Sequence, residues 1–492
     1  MVVSNNTGCL RIASITGRDY LSAHRQIESA TSLADAIELR LDHWQTLEIA
    51  TIARLRQEIN LPVILTLRKQ SQGGHCQLAE AQRLSIIEAL AALAPEYIDL
   101  EYDVPRPWLD EFRRRFPHIH IIGSYHNFNE TPDNLINLLQ AVQHPAFAII
   151  KIATFARSIC DTLRLLIFLR EASRERQMIG IAMGEFGQIS RILAPVAGGV
   201  GTYGCVEADL AAAPGQLSLS ELTEIYRVPQ LNRDTAIYAL LGDPISQSPG
   251  HLLHNQAFSL LHKNAVYVKC LVPAGELAQA MSLLRQLPFY GLSITIPHKE
   301  TIVAFLDQLF ADAAIMRIVN TVKRENDGYQ GFNTDAAGAV SVLAAVISLK
   351  NQRCLILGAG GSAKALAYAL LAQNAEVTLC NRTLLRAVEF TKKFGGKSID
   401  FNSLFTNAEF RYNIVINTLP ANAYLQQCAN WQIPGEHPGI AMDIVLKPLE
   451  TAFIQSAKSA GWRCITGDAL FMAQAQRQLK IWFNGDLAQS GD

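Results

Sequence analysis

What this chain of 492 residues lacks narrows it first. Net charge is almost absent: a formal value of −1 gives no field to draw the protein onto nucleic acid or an anionic membrane, so any anionic partner must be met by local arginines. Cysteine is sparse and unpatterned. The nine residues are an odd number without a CxxC spacing, which argues against a disulfide framework and for a reducing compartment. No apolar run approaches the ~18 residues needed to span a bilayer. The N-terminus, MVVSNNTGCLRI, has no basic stretch leading into an apolar core, so no signal peptide is expected and a cytoplasmic location is. What the chain has is core. Its hydrophobic content is 49% against 18% charged, in a length that suggests about three domains at ~150 residues each.

The first 220 residues alternate short apolar runs with longer amphipathic ones. Strands are predicted at 11–16, 36–42, 62–68, 97–103, 120–126, 147–154, 178–184 and 198–206, with helical patterns such as EAQRLSIIEALAALA and CDTLRLLIFLREASRERQ between them. Eight strand–helix units in this length predict a (β/α)8 TIM barrel, whose chemistry gathers where strands end. Ionisable residues stand in or at the ends of these strands: Glu38, Arg40, Arg68, Glu101, His126 and Lys151. Lys151 is the costly one. It interrupts PAFAIIKIATFA, and a buried ammonium must find a partner or lose its proton. A snorkelling or ion-paired lysine is the bland explanation. A Schiff-base amine is the sharp one, and His126, expected at the end of the fifth strand beside Lys151 at the end of the sixth, favours it.

The fragments ELR…D, TLR, SYHNF, IIKIA, GEFGQISR and APGQ, in this order and spacing, resemble type I 3-dehydroquinate dehydratase over about residues 9–225. The resemblance implies that Lys151 forms an imine with the substrate ketone. His126 would remove the adjacent proton and then protonate the departing hydroxyl. Glu38, Arg40 and Arg68 would hold ring hydroxyls beside Ser14, while Arg191 and Gln216 would bind the carboxylate. Two positions depart from the pattern: Gln72 stands where a glutamate near the histidine is common, and Ala212 where a serine is.

SELTEIYRV reads as the last barrel helix, and PQLNRDT (229–235) as a polar connector. A second α/β block follows, and a third opens at RCLILGAGGSAKALAYALLAQNAEVTLCNRT (353–383). Its LILGAGGSA is a dinucleotide fingerprint in context. Gly358 allows the tight turn, Gly360 the approach of a pyrophosphate, Ala363 close helix packing, and Ala359, Gly361 and Ser362 complete the loop before the helix N-terminus. The next strand ends in NRTLLR rather than in an acid, so Arg382 and Arg386 suit a 2′-phosphate, which selects NADP(H).

Ahead of the fingerprint lie GDPISQSPGHLLHN, GLSITIPHK, IVNTV and GFNTDAAG, and AQAQRQ lies near the C-terminus. Together they resemble shikimate dehydrogenase over about residues 236–490. That resemblance implies Ser246 and Ser248 on the substrate carboxylate, and Thr295, Asn320, Asp335 and Gln474 on hydroxyls. Lys299 with Asp335 would manage the proton. Asn381, Arg382, Thr383 and Arg386 would grip the adenosine phosphate, and Ile444 and Gly467 would line the nicotinamide end. Leu446 departs from a tyrosine often found there.

The dehydratase product is the reductase substrate, so the whole chain resembles the fused 3-dehydroquinate dehydratase–shikimate dehydrogenase, with 3-dehydroquinate, 3-dehydroshikimate and shikimate as its small-molecule partners. The expected division is a barrel over 1–228, a shikimate-binding domain over 236–342 completed by a helix at about 468–488, and an NADP-binding Rossmann domain over 343–467. No metal, nucleic acid or membrane is expected, and oligomeric state is not read from the sequence. Two alternatives stand beside this. A catabolic quinate/shikimate dehydrogenase using NAD is opposed by Arg382. A non-catalytic quinate/shikimate-sensing regulator is opposed by the joint presence of His126, Lys151, Lys299 and Asp335.

Overall fold

The computed structural model describes residues 8–207, 212–406, 412–420, 433 and 439–483. Eight strands open the chain: β1 (Leu10–Ile15), β2 (Ala36–Arg40), β3 (Val63–Thr66), β4 (Tyr97–Glu101), β5 (His120–Asn127), β6 (Phe147–Phe155), β7 (Met178–Met183) and β8 (Gly201–Gly204). They form one parallel sheet in the order β7-β6-β5-β4-β3-β2-β1-β8. Val200 N donates to Met178 O (2.9 Å) across the remaining seam, so the ring all but closes into a (β/α)8 barrel. Strands such as VILT and MIGIAM are buried at every position because one face meets the outer helices and the other fills the barrel. Ile12, Ile64, Ile122, Ile149, Ile179 and Tyr203 pack together in that interior.

The two helical patterns named above form at Glu80–Ala91 and Ile159–Ala172. Two expectations need correction. Lys151 is not at the end of its strand but in the middle of β6, because Ile152, Thr154 and Phe155 continue the strand and pair it with β5 as far as Asn127. SELTEIYRV does not form a regular α-helix: Glu221–Ile225 is a π turn in which Tyr226 N reaches back to Glu221 O (3.1 Å).

Two further sheets follow. The strands β9 (Ala236–Gly242), β10 (Ala265–Leu271), β11 (Phe289–Ile294), β12 (Gln308–Leu309), β13 (Thr321–Glu325) and β14 (Gly328–Phe332) lie in the order β10-β9-β11-β13-β14-β12. This sheet is mixed, with β13 antiparallel to both of its neighbours. The strands β15 (Arg353–Leu357), β16 (Glu376–Cys380), β17 (Lys397–Ile399), β18 (Ile414–Asn417), β19 (Ile440–Asp443) and β20 (Arg463–Ile465) are all parallel, in the order β17-β16-β15-β18-β19-β20. That is the doubly wound order of a Rossmann sheet, whose crevice opens at the carboxyl ends of β15 and β18. Ile356, Leu366, Leu370 and Leu343 form its core. The C-terminal helix spans Gly467–Trp482, and the expected continuation from 484 to 488 lies outside the described residues.

The chain divides into two compact units, residues 1–237 forming the body of the first and 290–492 that of the second, with segments of 238–289 assigned to each. Among the described residues no helix is long and apolar enough to cross a membrane, no group of side chains could hold a metal ion, and no disulfide forms.

Candidate active sites

Parallel register builds the barrel site. Ser124 of β5 lies opposite Lys151 of β6, and His126 opposite Ala153, so the period of two turns Ser124, His126 and Lys151 to the same interior face. Lys151 is buried. Its Nζ donates to Asp99 Oδ2 (3.0 Å), lies 3.8 Å from Glu38 Oε1, and stands 4.1 Å above the Tyr203 ring centroid. Asp99 Oδ1 in turn accepts from Arg68 Nη2 and Ser124 Oγ, both at 2.6 Å. Burial alone would raise the Asp99 pKa, but the Arg68 and Lys151 charges override it and hold the carboxyl well below its usual range. His126 moves the other way: burial, reinforced by the neighbouring Arg68 and Lys151 cations, pushes its pKa well below the ordinary imidazole value. Its ring is therefore neutral at neutral pH, the form a general base needs.

Ser14, Glu38, Arg40, Arg68, His126, Lys151, Arg191 and Gln216 all line one cavity. Glu38 accepts from Thr66 Oγ1 (2.9 Å) and from Ser14 Oγ (3.4 Å), and Gln216 Nε2 donates to Ser14 Oγ (3.2 Å). Asp42 grips Arg40 bidentately at 2.9 Å. Arg191 is different. It is 2% exposed, has no acidic partner among the described residues, and its Nε makes no hydrogen bond. Burial lowers its pKa to about 10. A buried guanidinium without an anion is a site for one. Of the departures, Gln72 Oε1 accepts from His126 N (2.9 Å), and Ala212 contributes only its backbone N, which donates to Gln216 Oε1 (2.7 Å).

The second site is a chain of hydrogen bonds within the second unit. Asp335 sits in the first turn of the helix Thr334–Ala344, which Asn333 caps. Its Oδ2 pairs with Lys299 Nζ, and its Oδ1 accepts from Asn320 Nδ2. Lys299 Nζ also donates to Ser362 Oγ (2.9 Å), in the glycine turn. Thr321 Oγ1 donates to Asn320 Oδ1 (2.8 Å) and accepts from Gln478 Nε2 (3.1 Å), carrying the chain to the C-terminal helix. Gln474 lies one turn earlier on that helix, against Gly338. Ser246 is exposed. Ser248 is half-buried, with Gly250 N donating to its Oγ (3.3 Å), and Thr295 is half-buried just past β11.

The dinucleotide turn follows β15. Gly358 has φ +116°, a conformation that favours glycine, whereas a Cβ on Gly360 would meet nothing within 4 Å, leaving its face open to a ligand. Ala359 and Ala363 are buried, and Gly361 begins a twelve-residue helix. Asn381 Nδ2 donates to Thr383 O (2.9 Å) just past β16, shaping the turn that carries Arg382 and Arg386. Both arginines are exposed and neither has an acidic partner among the described residues. At the far side Ile444 N donates to Asn417 O (3.2 Å), and a Cβ on Gly467 would come within 2.3 Å of Val445 O. A phosphorylated dinucleotide fits this donor set: an open glycine face, a helix N-terminus and two unpaired guanidiniums. Leu446 is half-buried, and the preceding Asp443 is fully buried and spent on Asn417 and Thr451.

Residues 12–233 match the type I 3-dehydroquinase family, 240–322 the shikimate dehydrogenase substrate binding domain, and 341–444 the shikimate/quinate 5-dehydrogenase family. The shikimate biosynthesis protein AroDE of Chlamydia pneumoniae is 33% identical over 474 residues, 96% of this chain and 94% of that protein. The chloroplastic bifunctional 3-dehydroquinate dehydratase/shikimate dehydrogenase of Arabidopsis thaliana is 30% identical over 91% of this chain and 77% of its own length. The chain belongs to this bifunctional dehydratase/dehydrogenase family. Among solved structures, the dehydroquinate dehydratase and shikimate dehydrogenase from S. pombe AroM aligns with 98% of this chain and 96% of its own, at 24% identity and a TM-score of 0.40. The Thermus thermophilus shikimate 5-dehydrogenase in complex with NADP(H) and shikimate aligns with 51% of this chain and 94% of its own, at 30% identity and a TM-score of 0.45.

In the dehydratase half, sequence reasoning missed Asp99, Ser124 and Tyr203; in the dehydrogenase half it missed Thr321 and Gln478. Asp99 carried a usable signal, a carboxylate inside YIDLEYD, but Glu101 in the same strand was singled out instead. Glu101 is occupied by Arg83 Nη1 (2.8 Å) and Lys69 N (3.0 Å) and does not line the cavity. Tyr203 gave no signal, because an aromatic in an apolar strand reads as core.

Proposed function

We propose that this chain carries out two consecutive reactions in the cytoplasm: dehydration of 3-dehydroquinate to 3-dehydroshikimate in the barrel, then NADPH-dependent reduction to shikimate. Residues 1–228 would form the dehydratase, 236–342 with the C-terminal helix the shikimate-binding domain, and 343–467 the NADP-binding domain. What carries the reading is that one chain assembles two lysine-centred sites, Lys151 with His126 in one cavity, and Lys299 with Asp335 beside a dinucleotide turn.

In the barrel, the Lys151 amine condenses with the substrate ketone and releases water. The protonated imine withdraws electrons from the adjacent carbon, where the neutral His126 takes a proton. The same imidazolium then protonates the departing hydroxyl, which leaves as water, and hydrolysis of the imine frees Lys151. Glu38, Arg40 and Arg68 orient the ring hydroxyls, and the unpaired Arg191 takes the carboxylate with Gln216 beside it. In the second site, bound NADPH supplies the hydride. Lys299 donates a proton to the carbonyl oxygen as its charge grows, and Asp335, fixed by Asn320, orients the ammonium. Ser246 and Ser248 bind the carboxylate, and Thr295 and Gln474 the ring hydroxyls. Arg382 and Arg386 answer the 2′-phosphate.

The deciding experiment supplies the purified protein with 3-dehydroquinate and NADPH together. Shikimate should accumulate with matching NADPH consumption. Absence of 3-dehydroshikimate without cofactor would remove the barrel half of the reading, and absence of reduction from supplied 3-dehydroshikimate the other half.

A further inference from the structure

We propose that Tyr203 is a substrate-binding residue of the barrel site, its hydroxyl a donor kept for an oxygen of the bound substrate; this rests on the dehydratase reading above. Tyr203 is the third residue of β8 and 4% exposed. Two of its parts are already engaged with the site. Its ring lies beneath Lys151 Nζ, at 4.1 Å, and its backbone oxygen accepts from Arg191 Nη1 (3.3 Å). The third part is idle: the hydroxyl is buried and has no hydrogen-bond partner among the described residues. Buried tyrosine hydroxyls are nearly always paired, so a barrel interior that needed only an aromatic plate would be served by phenylalanine.

The idle hydroxyl is not isolated. Arg191 Nε and His126 Nδ1 are buried and unpartnered too, and all three residues line the same cavity. Three unsatisfied polar groups converging on one space describe a complement to an oxygen-rich molecule, and a polyhydroxylated cyclic keto acid offers acceptors around its whole ring. Of the other neutral side chains of this lining, Gln216 Nε2 already donates to Ser14 Oγ and Ser14 Oγ to Glu38, and Ala212 has no side-chain donor. The hydroxyl stays protonated, since burial and the nearby Glu38 and Asp99 charges push its pKa well above the ordinary value.

Tyr203→Phe keeps the ring under Lys151 and removes one oxygen. The expected result is a rise of about tenfold in KM for 3-dehydroquinate with kcat changed less than about twofold. The ligand-free melting temperature should hold or rise, because an unpaired buried group has gone. Borohydride should still trap substrate on Lys151. An unchanged KM, with or without a lowered melting temperature, would show that the hydroxyl serves the fold or nothing at all and would overturn the proposal. So would a fall in kcat at constant KM, which would put the hydroxyl in the chemistry rather than in binding. If the unaltered protein itself fails to dehydrate 3-dehydroquinate, it is the dehydratase reading that falls.

Discussion

The two central lysines are held in opposite ways. Lys151, 6% exposed, lies between two carboxylates and over an aromatic face, with its second neighbours buried as deeply. Lys299, 15% exposed, has one carboxylate and one hydroxyl, and around it the serines and arginines of its site are partly or wholly open to solvent. On the proposed reading, the difference follows from what each site must do. An imine is a cation held through several bond changes, so its charge needs permanent counter-charge in a dry place. A reductase must admit and release a dinucleotide each turn, so its binding groups stay accessible and only the proton-handling core is buried. Burial therefore marks where bonds change, and exposure where molecules are exchanged.

The widest separation should come from Lys151→Ala. Dehydration should be abolished, because among the described residues no other amine lines the cavity, while oxidation of shikimate by NADP continues at the unaltered rate. Loss of both activities would mean that the halves are not independent. Lys299→Ala should do the reverse, lowering kcat of reduction by about 10²–10⁴-fold at nearly constant KM, with dehydration intact. A rise in KM alone would make Lys299 a binding residue and move the proton step elsewhere.

Removing the counter-charge tests the burial argument directly. Asp99→Ala leaves Arg68 and Lys151 short of a partner in a fully buried place, so the barrel should lose about 3–5 kcal/mol in denaturant unfolding. Arg382→Ala removes an exposed and unpaired charge, so stability should not move. Its effect should fall on cofactor choice, with KM for NADPH raised about tenfold or more and KM for NADH little changed. Comparable use of both cofactors by the unaltered protein would reject the 2′-phosphate reading.

How far the sequence reached differs between the two halves for the same reason. Strand-end motifs are local, so the eight strands, the glycine turn and the ionisable residues at strand ends are legible from spacing, while the other residues around Lys151 and Lys299 come from the family resemblance. Contacts set by sheet register were not. Asp99 meets Lys151 across two strand pairings, 52 positions away, and Gln478 meets Thr321 across 157. No local pattern encodes such partners, which is why the charges were found but not what holds them.

The smallest expected effect concerns acid, and it compares the halves once more. The barrel holds three imidazoles whose pKa values burial depresses: His43 to about 4, His120 less so, and His126 strongly. The second unit has His254, lowered to about 3 by burial. A folded-state pKa below the unfolded value of ~6.5 costs nothing at neutral pH, where both states carry no proton. As pH falls through 6.5 the unfolded chain gains protons that the folded chain refuses, and stability drains until the folded pKa is reached. Each such histidine contributes a slope of at most about 1.4 kcal/mol per pH unit. Asp99 adds to the loss only below about pH 5, where unfolded aspartates begin to take up protons. Calorimetry of the full chain between pH 6.5 and about 4 should therefore show the barrel transition falling more steeply than the dehydrogenase transition, identified as the one that shikimate and NADP raise. Equal slopes would mean that the barrel's histidines are protonated on folding after all, and with them the base assigned to His126.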